Sequence, residues 1–185
     1  MVSIRKISYE DLDELQRISR QTFHETFAAV NSAENMAKYL EDELSVAKLS
    51  AELANPDSAF YFAEENNEVI GYLKLNFGQA QTELKDGRAV EIERIYVLAD
   101  HQGKQIGRLL YQQALNAAEE INAEYVWLGV WEENLKAINF YRKNGFVEFD
   151  KHIFYLGDDA QTDIMMKLEL PVDPGQPQIW PGSDN

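Results

Sequence analysis

A short loop with two glycines, lying between a predicted strand and a predicted helix, has the features of an anion-binding site. The stretch 92–110 begins as a strand rich in Ile, Tyr and Val, crosses a polar loop containing Gly103, and enters a helix at Gly107. The first amides of a helix lack backbone partners, and the helix macrodipole adds about half a positive charge there. Without Cβ atoms the two glycines let a diphosphate approach the backbone, and Lys104 and Arg108 add two cations. An ordinary strand–loop–helix connection is the alternative interpretation.

A second segment, 134–146, reads Asn-Leu-Lys-Ala-Ile-Asn-Phe-Tyr-Arg-Lys-Asn-Gly-Phe. It predicts a helix that is stopped by Gly145, since glycine is a usual residue just past a helix C-terminus. Tyr141 falls on the same helical face as Ala137 and Ile138, which is typical of a packed aromatic residue. The residues alone therefore leave Tyr141 open between packing and catalysis.

Taken together, the two segments resemble the GNAT acetyltransferases. The family's pyrophosphate loop reads Arg/Gln-x-x-Gly-x-Gly/Ala, and its closing helix reads Asn-x-x-Ala-x-x-Phe-Tyr-x-Lys/Arg-x-Gly-Phe. The positions that fall in place are Gln102, Lys104, Ile106 and Gly107 in the loop, and Asn134, Ala137, Phe140, Tyr141, Lys143, Gly145 and Phe146 in the helix. Gln105 occupies the family's first glycine position, so it must present its amide with its side chain turned outward.

The resemblance implies a GNAT fold, an α/β (α+β) domain with a mixed, mostly antiparallel sheet of about six to seven strands. Helices would flank this sheet, and its central strands would splay apart to hold acetyl-CoA, with the pyrophosphate on the amides of 102–107. The implied contacts are Ile95, Tyr96, Val97, Gln102, Gly103, Lys104, Gln105, Ile106, Gly107, Arg108, Asn134 and Arg142. No metal is expected, because the chain has no cysteine and its 3 histidines lack ligand spacing.

The implied chemistry is direct transfer of an acetyl group from acetyl-CoA to an amine, through a tetrahedral intermediate. An alkyl ammonium of pKa about 10 is only ~0.1–1% neutral near pH 7–8, which costs roughly 3–4 kcal/mol. A carboxylate acting directly or through water can remove the proton. Counting by twos along the strand puts Glu91 and Glu93 on one face with Ile95 and Val97, and Glu93 is the candidate base. A Glu93 that points to solvent or pairs with Arg94 or Arg88 is the alternative.

The resemblance also places Tyr141 beside the sulfur of the thioester. A tyrosine of pKa near 10 is a weaker acid than a thiol near 8.5, so full proton transfer to the thiolate is uphill by about 2 kcal/mol. Hydrogen bonding that stabilises the thiolate is therefore its expected role. Backbone amide near Val97 is expected to stabilise the oxyanion, because splayed strands expose unpaired amides.

A closer likeness reaches from the first predicted strand to the last. It is carried by Gln-Thr-Phe-His-Glu-Thr-Phe at 21–27, Asn-Ser-Ala-Glu-Asn-Met at 31–36, Glu-Ile-Glu-Arg-Ile-Tyr at 91–96, Trp-Leu-Gly-Val-Trp-Glu at 127–132 and Gly-Asp-Asp-Ala-Gln-Thr-Asp at 157–163. These segments resemble the PaiA-type spermidine/spermine acetyltransferases of bacteria, which implies a flexible polycation as substrate.

A polycation needs acids beyond the one that removes the proton. Three candidates, each at the end of a predicted element, are Glu25, Glu132 and Asp163. Two other functions stay open. One is acetylation of another amine, such as a protein N-terminus, a lysine or an amino sugar, and the other is a non-catalytic module that binds acyl-CoA.

The chain is strongly acidic, with 17 Lys and Arg against 32 Asp and Glu and a net charge of −15. Such a field repels nucleic acid and anionic membranes, and it fits a small cationic amine as the partner. No apolar run approaches the ~18 residues of a membrane span, and the N-terminus lacks the apolar region of a signal peptide. A cytoplasmic protein is expected, with a homodimer left open.

The predicted elements fit one domain, residues 1–170, within the 185-residue chain. Strands are predicted at 2–7, 59–63, 69–77, 89–98, 125–131, 146–149 and 164–170. Helices are predicted to begin after Ser8, after Ser32, after Ser45, at Gly107 and at Asn134. The Pro- and Gly-rich residues 171–185 cannot sustain a helix or a sheet and are expected to form a mobile tail.

Overall fold

A computed structural model describes residues 1–179, and a seven-stranded sheet forms its centre. The strands are β1 Ser3–Lys6, β2 Ser58–Glu65, β3 Glu68–Phe77, β4 Ala89–Val97, β5 Tyr125–Trp131, β6 Val147–Leu156 and β7 Asp159–Glu169. The α-helices are α1 Leu12–Phe27, α2 Ala33–Glu43, α3 Val46–Ala54, α4 Ile106–Glu120 and α5 Leu135–Lys143. No helix within this described part is long and apolar enough to cross a membrane.

The strand order across the sheet is β1-β2-β3-β4-β5-β7-β6. The pair β4 and β5 is parallel, and the other neighbouring pairs are antiparallel. This arrangement confirms the predicted mixed, mostly antiparallel sheet. It also puts β4, which leads into the glycine loop, next to β5, which leads into α5.

The strands β4 and β5 separate halfway along their length. Their register runs from Ala89 opposite Tyr125 to Ile92 opposite Leu128, and the described residues show no pairing between them beyond that point. Residues 93–97 of β4 and 129–131 of β5 are not paired with each other, and they leave a gap between the two faces of the sheet. The expected splaying of the central strands is therefore confirmed.

A β-bulge in β4 changes which of its residues share a face. Leu75 of β3 pairs with Ile92, and Lys74 pairs with Arg94, so Glu93 is an extra residue without a partner on β3. The extra residue reverses the alternation beyond it. Counting by twos through this point was therefore wrong: Glu91 shares its face with Arg94 and Tyr96, whereas Ile95 and Val97 lie on the opposite face. A sequence does not reveal a bulge of this kind.

The two faces of the sheet carry different helices. A Cβ at Gly71 of β3 would stand 3.4 Å from Leu110 of α4, which puts α4 on that face. The next residue, Tyr72, points the opposite way and shares a cavity with Phe23 of α1 and Tyr39 of α2. One face is thus covered by α4 and the other by α1 and α2.

Three of the helices begin at polar side chains that cap their first turn. The Ser32 hydroxyl accepts a hydrogen bond from Asn35 N at 3.1 Å, and the Ser45 hydroxyl accepts one from Lys48 N at 3.2 Å. Asn134 does the same for α5, where its Oδ1 accepts from Ala137 N at 3.2 Å. These caps satisfy amides that a helix start leaves unpaired, which is why the predicted starts are confirmed.

The last two strands are longer than predicted. The sequence predicted strands at 146–149 and 164–170, whereas β6 continues to Leu156 and β7 already begins at Asp159. β6 forms the edge of the sheet, and much of it, including Ile153 and Tyr155, is exposed. An exposed edge strand needs no continuous apolar run, so its pattern was too weak to be recognised.

The first part of the predicted tail is attached to the end of α4. Residues 171–179 form neither helix nor strand, but Asn122 Nδ2 donates to the carbonyls of Asp173 and Gln176 at 3.0 and 2.9 Å. Asn122 Oδ1 also accepts from Asp173 N at 2.9 Å. The prediction of a mobile tail extends to residues 180–185, which lie outside the described residues.

Candidate active site

The loop after β4 and the facing helix α5 enclose a groove, which we call the α4 groove. Its lining residues are Ile95, Val97, His101, Gln102, Gly103, Gln105, Ile106, Gly107, Arg108, Asn134, Lys136, Ala137, Phe140 and Tyr141. Most of the predicted cofactor contacts are among them. The structure therefore brings together the two segments that the sequence singled out.

The α4 groove ends at a set of free backbone amides. Leu109 N donates to Gln105 O at 3.2 Å, so the amides that precede it in α4 have no acceptor within the helix. A Cβ at Gly107 would come no closer than 4.0 Å to Val97, and a Cβ at Gly103 would meet nothing within 4 Å. The space above these amides is open to an anion, and the helix dipole favours a negative charge there.

The residue that departs from the family pattern has the backbone of a glycine. Gln105 lies just before α4 with φ +67° and ψ +9°, in the left-handed region that glycine favours. Gly103, two residues earlier, has φ +80°. Gln105 therefore adopts a conformation open to glycine, and the cost is strain in the backbone at Gln105.

Three predicted cofactor contacts do not form the wall of the α4 groove. The Tyr96 ring stacks on Tyr72 at 6.0 Å on the opposite face of the sheet, because the bulge reverses the alternation, so only its backbone borders the gap. Arg142 points away from the groove and forms an ion pair with Glu148. Lys104 is exposed beside the loop and contributes its charge only.

Tyr141 lies at the inner end of the α4 groove. Its side chain is 6% exposed and packs against Phe140 and Phe146, with ring centroids 5.4 and 5.3 Å away. Burial raises the pKa of Tyr141 well above its ordinary value. The phenol therefore stays protonated over the whole physiological pH range and can act as a hydrogen-bond donor.

An unpaired backbone amide points into the gap close to Tyr141. Leu98 N donates to Ile70 O of β3 at 2.9 Å, and successive amides of a strand point in opposite directions. The amide of Val97 therefore points away from β3, toward the part of β5 that has separated. Such an amide is suited to stabilise negative charge on an oxygen placed in the gap.

The other face of the sheet holds a cavity with acidic and aromatic walls, which we call the acidic cavity. Its carboxylates are Glu83, Glu91, Glu93 and Asp163. Its aromatic residues are Phe23, Phe27, Tyr39, Tyr72, Tyr96, Trp127, Trp131 and Phe154. Carboxylates attract a cation, and aromatic faces add cation–π attraction, so the cavity is suited to an ammonium group.

A passage through the gap between β4 and β5 connects the acidic cavity with the α4 groove. Its wall includes Asn134 and Tyr141 from the groove side, and Glu93, Gly129 and Trp131 from the cavity side. A ligand in the groove and a ligand in the cavity can therefore meet within the sheet. The two half-sites lie on opposite faces and share one reaction space.

Glu93, the predicted base, is held in a network of buried cations. Its carboxylate contacts Lys74 Nζ, accepts a hydrogen bond from Asn76 Nδ2 at 2.8 Å, and lies 3.7 Å from Arg94. Glu52 of α3 binds the same two cations. Burial by itself would raise the pKa of Glu93, but the charges of Arg94 and Lys74 outweigh it and hold the pKa below its ordinary value. Glu93 is thus a weak base.

The other two strand carboxylates of the acidic cavity have raised pKa values. Burial raises the pKa of Glu91, although its oxygens accept hydrogen bonds from Asn76 Nδ2 at 3.0 Å and from Thr82 N at 2.8 Å. Burial also raises the pKa of Asp163, with the nearby His152 opposing the shift. No hydrogen-bond donor within residues 1–179 engages the Asp163 carboxylate. It lies half-buried in the cavity wall.

The two other predicted substrate acids lie outside the acidic cavity. The Glu25 carboxylate accepts a hydrogen bond from Ala99 N at 2.9 Å and another from Gln21 Nε2 at 3.2 Å, so it stabilises the end of β4 instead of facing the cavity. Glu132 follows β5, where its amide donates to Thr162 O at 3.0 Å, and its side chain lines no part of the cavity. Of the three candidates, the structure places only Asp163 in the cavity wall.

Several residues of the site were missed from the sequence. Lys74 and Asn76 lie on β3, distant in sequence from both motifs, and the residues alone give no sign that they meet Glu93. Gly129 could have been noticed, because it interrupts the aromatic and apolar run of β5 at a point where a side chain would be expected. Among residues 1–179, no group of three or more His, Cys, Asp or Glu side chains is arranged to hold a metal ion.

Comparison with known proteins decides the family. The sequence profile of the Acetyltransferase (GNAT) family matches residues 12–146, which include Glu93, the glycine loop and Tyr141. The chain belongs to the GNAT family. It is 45% identical, over 91% of its length and 98% of the relative, to an uncharacterised N-acetyltransferase of Lactobacillus delbrueckii subsp. lactis. The chain is therefore an acetyl-CoA-dependent N-acetyltransferase of the GNAT type, as predicted.

Relatives with a named activity point to amine acceptors of two kinds. A spermidine N(1)-acetyltransferase of Thermoplasma acidophilum is 28% identical, with 78% of this chain and 88% of that protein covered. An N-alpha-acetyltransferase of Sulfurisphaera tokodaii is 30% identical, with 85% and 88% covered. Among solved structures, the PaiA N-acetyltransferase of Thermoplasma acidophilum in complex with coenzyme A has a TM-score of 0.76 at 25% identity, covering 92% of this chain and 99% of that one.

The α4 groove of this GNAT protein fits acetyl-CoA, the activated acyl donor that its family uses. The free amides before Leu109 and the bare Gly107 suit the diphosphate, and the unpaired edge of β4 at 95–97 suits a chain of amides such as pantetheine. Tyr141 lines both the groove and the passage, and Val97 lines the groove beside it.

Proposed function

We propose that the protein transfers the acetyl group of acetyl-CoA to a primary amine of a polyamine such as spermidine or spermine. The observation that carries this proposal is the acidic cavity, whose carboxylates and aromatic rings surround a space that opens onto the α4 groove. A protonated polyamine carries several charges along an extended chain, and both kinds of wall attract it. The spermidine acetyltransferase relative supports the same acceptor class.

In the proposed mechanism, the acidic cavity, the amide of Val97 and the phenol of Tyr141 each have a separate role. The acidic cavity binds and orients the ammonium group, and a carboxylate removes its proton, because only the neutral amine attacks. The amide of Val97 donates to the carbonyl oxygen as negative charge develops there. The phenol of Tyr141 donates a hydrogen bond to the departing sulfur.

Glu93 has a supporting part in this proposal. Its contacts with Lys74 and Arg94 keep it ionised, and they also occupy the carboxylate that would otherwise accept a proton. It therefore remains a negative charge beside the cavity, and these two cations offset part of it. Glu91 is likewise engaged by Thr82 and Asn76. Neither has the free oxygen atoms of a good base.

The second candidate function is acetylation of a protein N-terminus, which the N-alpha-acetyltransferase relative favours. An N-terminal amine has a pKa of about 8 and needs less help to lose its proton. A polypeptide acceptor also needs an extended groove for its backbone. The acidic cavity, with several carboxylates and aromatic walls, fits a flexible polycation better.

An amine panel tests the proposal. Release of free CoA thiol is measured with spermine, spermidine, butylamine, glucosamine and short peptides with free N-termini, at equal ionic strength. We expect the kcat/KM for spermine or spermidine to exceed that for butylamine by at least about tenfold, equivalent to one additional ammonium contact of about 1.4 kcal/mol. Added salt should raise the KM for the polyamines more than that for butylamine. A preference for a peptide or for glucosamine would contradict the polyamine assignment.

A further inference from the structure

The carboxylate of Asp163 differs from the other acids of the cavity in being unengaged. Glu93 is bound by Lys74 and Asn76, and Glu91 by Thr82 and Asn76. Asp163 has no hydrogen-bond donor or cation within the described residues that occupies its oxygens. Glu83, the fourth cavity carboxylate, is engaged through its Oε1, which lies 2.7 Å from His152 Nε2. A carboxylate that must accept a proton needs free lone pairs directed at the proton. Among these four acids, Asp163 alone has neither oxygen engaged by a described residue.

The position of Asp163 relative to the passage is set by the strand register. Asp163 of β7 pairs with Trp131 of β5, and Gly129 is the next β5 residue on the same face. A Cβ at Gly129 would stand 3.4 Å from Asp163 Oδ2 and 3.6 Å from its Cβ. The carboxylate therefore lies directly over the bare backbone of Gly129, where no side chain screens it.

Gly129 connects this carboxylate with the reaction space. It belongs to the wall of the acidic cavity and also to the wall of the passage that reaches Tyr141. An amine that enters from the cavity passes over Gly129 on its way to the thioester. Asp163 can therefore touch the amine on one side while Tyr141 lies on the other.

We propose that Asp163 is the catalytic base that takes the proton from the acceptor ammonium group, and that Gly129 is the positioning residue that keeps its path open. The proposal deepens the proposed function, since it assigns the proton acceptor of that site. It replaces Glu93 in that role and leaves Glu93 as a fixed charge.

The proton and electron balance of the step is complete without a further reactant. Asp163 accepts one proton from the ammonium group, and the nitrogen lone pair then forms the C–N bond of the amide. The C–S bond breaks, and its electron pair stays on sulfur. The second proton of the nitrogen passes to that sulfur, so CoA leaves as the thiol, and Asp163 returns its proton to water.

Other titratable groups around the cavity define the pH dependence of this step. They are Glu91, Glu93, Arg94 and Tyr96 on β4, Tyr72 on β3, Tyr39 on α2, His152 on β6 and Glu83 in the loop before β4. His152 is the closest neighbour of Asp163 on β6, and its Nε2 lies 2.7 Å from Glu83 Oε1. Burial nevertheless raises the pKa of Asp163, so the base form is lost as pH falls, at a pH above the ordinary range of an aspartate.

The first test is Asp163→Asn, assayed with whichever amine of the panel has the highest kcat/KM. We expect kcat to fall by about 100-fold, the affinity for acetyl-CoA in calorimetry to be unchanged, and the acid limb of the kcat/KM profile to disappear. Glu169→Gln, which removes an exposed carboxylate from the same strand, should behave like the wild type. A wild-type kcat with an intact acid limb in Asp163→Asn would overturn the proposal, as would loss of that limb in Glu93→Gln only.

A second test separates proton transfer from a structural effect. Asp163→Ala should regain activity when formate is added, because a small carboxylate can occupy the vacated space, and Glu169→Gln should show no response. Gly129→Ala should lower kcat by at least about tenfold while acetyl-CoA affinity stays unchanged, since its methyl group would lie against the Asp163 carboxylate. Absence of any formate response in a folded Asp163→Ala would contradict the proposal.

A third measurement does not depend on activity. Carboxyl carbon chemical shifts followed from pH 3 to 8 in the free protein should include one aspartate that titrates above the ordinary value, and Asp163→Asn should remove that signal. Titration of Asp163 below the ordinary value would overturn the proposal. If the panel favours a different amine, the polyamine assignment fails while these three tests still decide the role of Asp163.

Discussion

The α4 groove and the acidic cavity lie on opposite faces of the sheet, and they are built by different means. The groove presents backbone amides and a helix dipole, supplied by consecutive residues in and after one loop. The cavity presents side chains from several strands, helices and loops that are far apart in the sequence. Backbone donors tolerate a change of side chain such as that at Gln105, whereas the cavity depends on the identity and engagement of each carboxylate.

The two regions also differ in how they manage charge. Lys104, Arg108 and Lys136 lie in or beside the groove, in solvent or partly so, and need no partners. At the cavity, Arg94 in the wall and Lys74 behind it are almost completely removed from water, and both are paired with carboxylates. Buried charges are stable only when paired, so these cations neutralise part of the acidic wall. The number of acids in the cavity therefore overstates the number available to substrate.

The largest effect is expected for a substitution that weakens CoA binding in the α4 groove and leaves the acidic cavity untouched. Gly107→Glu puts a bulky negative side chain among the free amides of α4, where the diphosphate would lie. We expect CoA affinity in calorimetry to fall by about 100-fold or more, which corresponds to about 2.7 kcal/mol. Gly107→Ala is the matched control, because a Cβ there would meet only Val97 at 4.0 Å, and it should bind CoA nearly normally. Unchanged affinity in Gly107→Glu would show that the cofactor binds elsewhere.

The difference in construction also explains what the sequence could predict. The glycine loop is local, so its residue types alone pointed to Gly103 and Gly107, and helix starts such as Ser45 follow from capping chemistry that acts within one turn. Asn134 and Tyr141 were identified by the resemblance of the α5 segment to the family motif. The mixed, mostly antiparallel sheet and its splayed central strands followed from the family resemblance. These features depend on neighbours in the chain or on a pattern that spans few residues.

What could not be predicted depends on contacts between distant residues. The bulge at Glu93 arises from the register with Lys74 and Leu75, and it moved Ile95 and Val97 to the other face. The ion pairs of Glu93 reverse the usual effect of burial on a carboxylate. Glu25 illustrates the same limit, because its partner, the amide of Ala99, lies at the end of a strand far along the chain.

A smaller effect is expected at Tyr141, one of the residues that line both the groove and the passage. Tyr141→Phe removes one hydroxyl and should lower kcat by at least about tenfold. The loss should be smaller than the ~10²–10⁴ expected for a fully positioned acid, because Tyr141 only donates a hydrogen bond to the sulfur. CoA affinity should stay nearly intact, because the lost contact forms only as the sulfur departs. Since burial raises the pKa of Tyr141, the ratio of wild-type kcat to Tyr141→Phe kcat should be constant from pH 6 to 10.

The control for this variant is Tyr111→Phe. Tyr111 packs on Phe140 at 5.5 Å in the same aromatic cluster, but it does not line the groove or the passage. It should leave kcat unchanged. If Tyr141→Phe keeps the wild-type kcat across this pH range, Tyr141 is only a packing residue.

The smallest expected effect is on stability, at the one loop position where a side chain replaces the family's glycine. Gln105 has φ +67°, and a residue with a Cβ pays roughly 1–2 kcal/mol in the left-handed region. Glycine removes this strain but loses about 0.5–1 kcal/mol more entropy on folding. Gln105→Gly should therefore raise the free energy of unfolding by up to about 1 kcal/mol, measured in urea with an unchanged slope. Asn67→Gly, at φ +65°, should gain less stability, because asparagine tolerates this region better.

The CoA affinity of Gln105→Gly should change less than about twofold, since the groove is expected to bind through amides whose positions the loop already fixes. A destabilised Gln105→Gly, or one with much weaker CoA binding, would mean that the Gln105 side chain itself contributes to the groove, and the contrast between a backbone-built and a side-chain-built half-site would no longer hold.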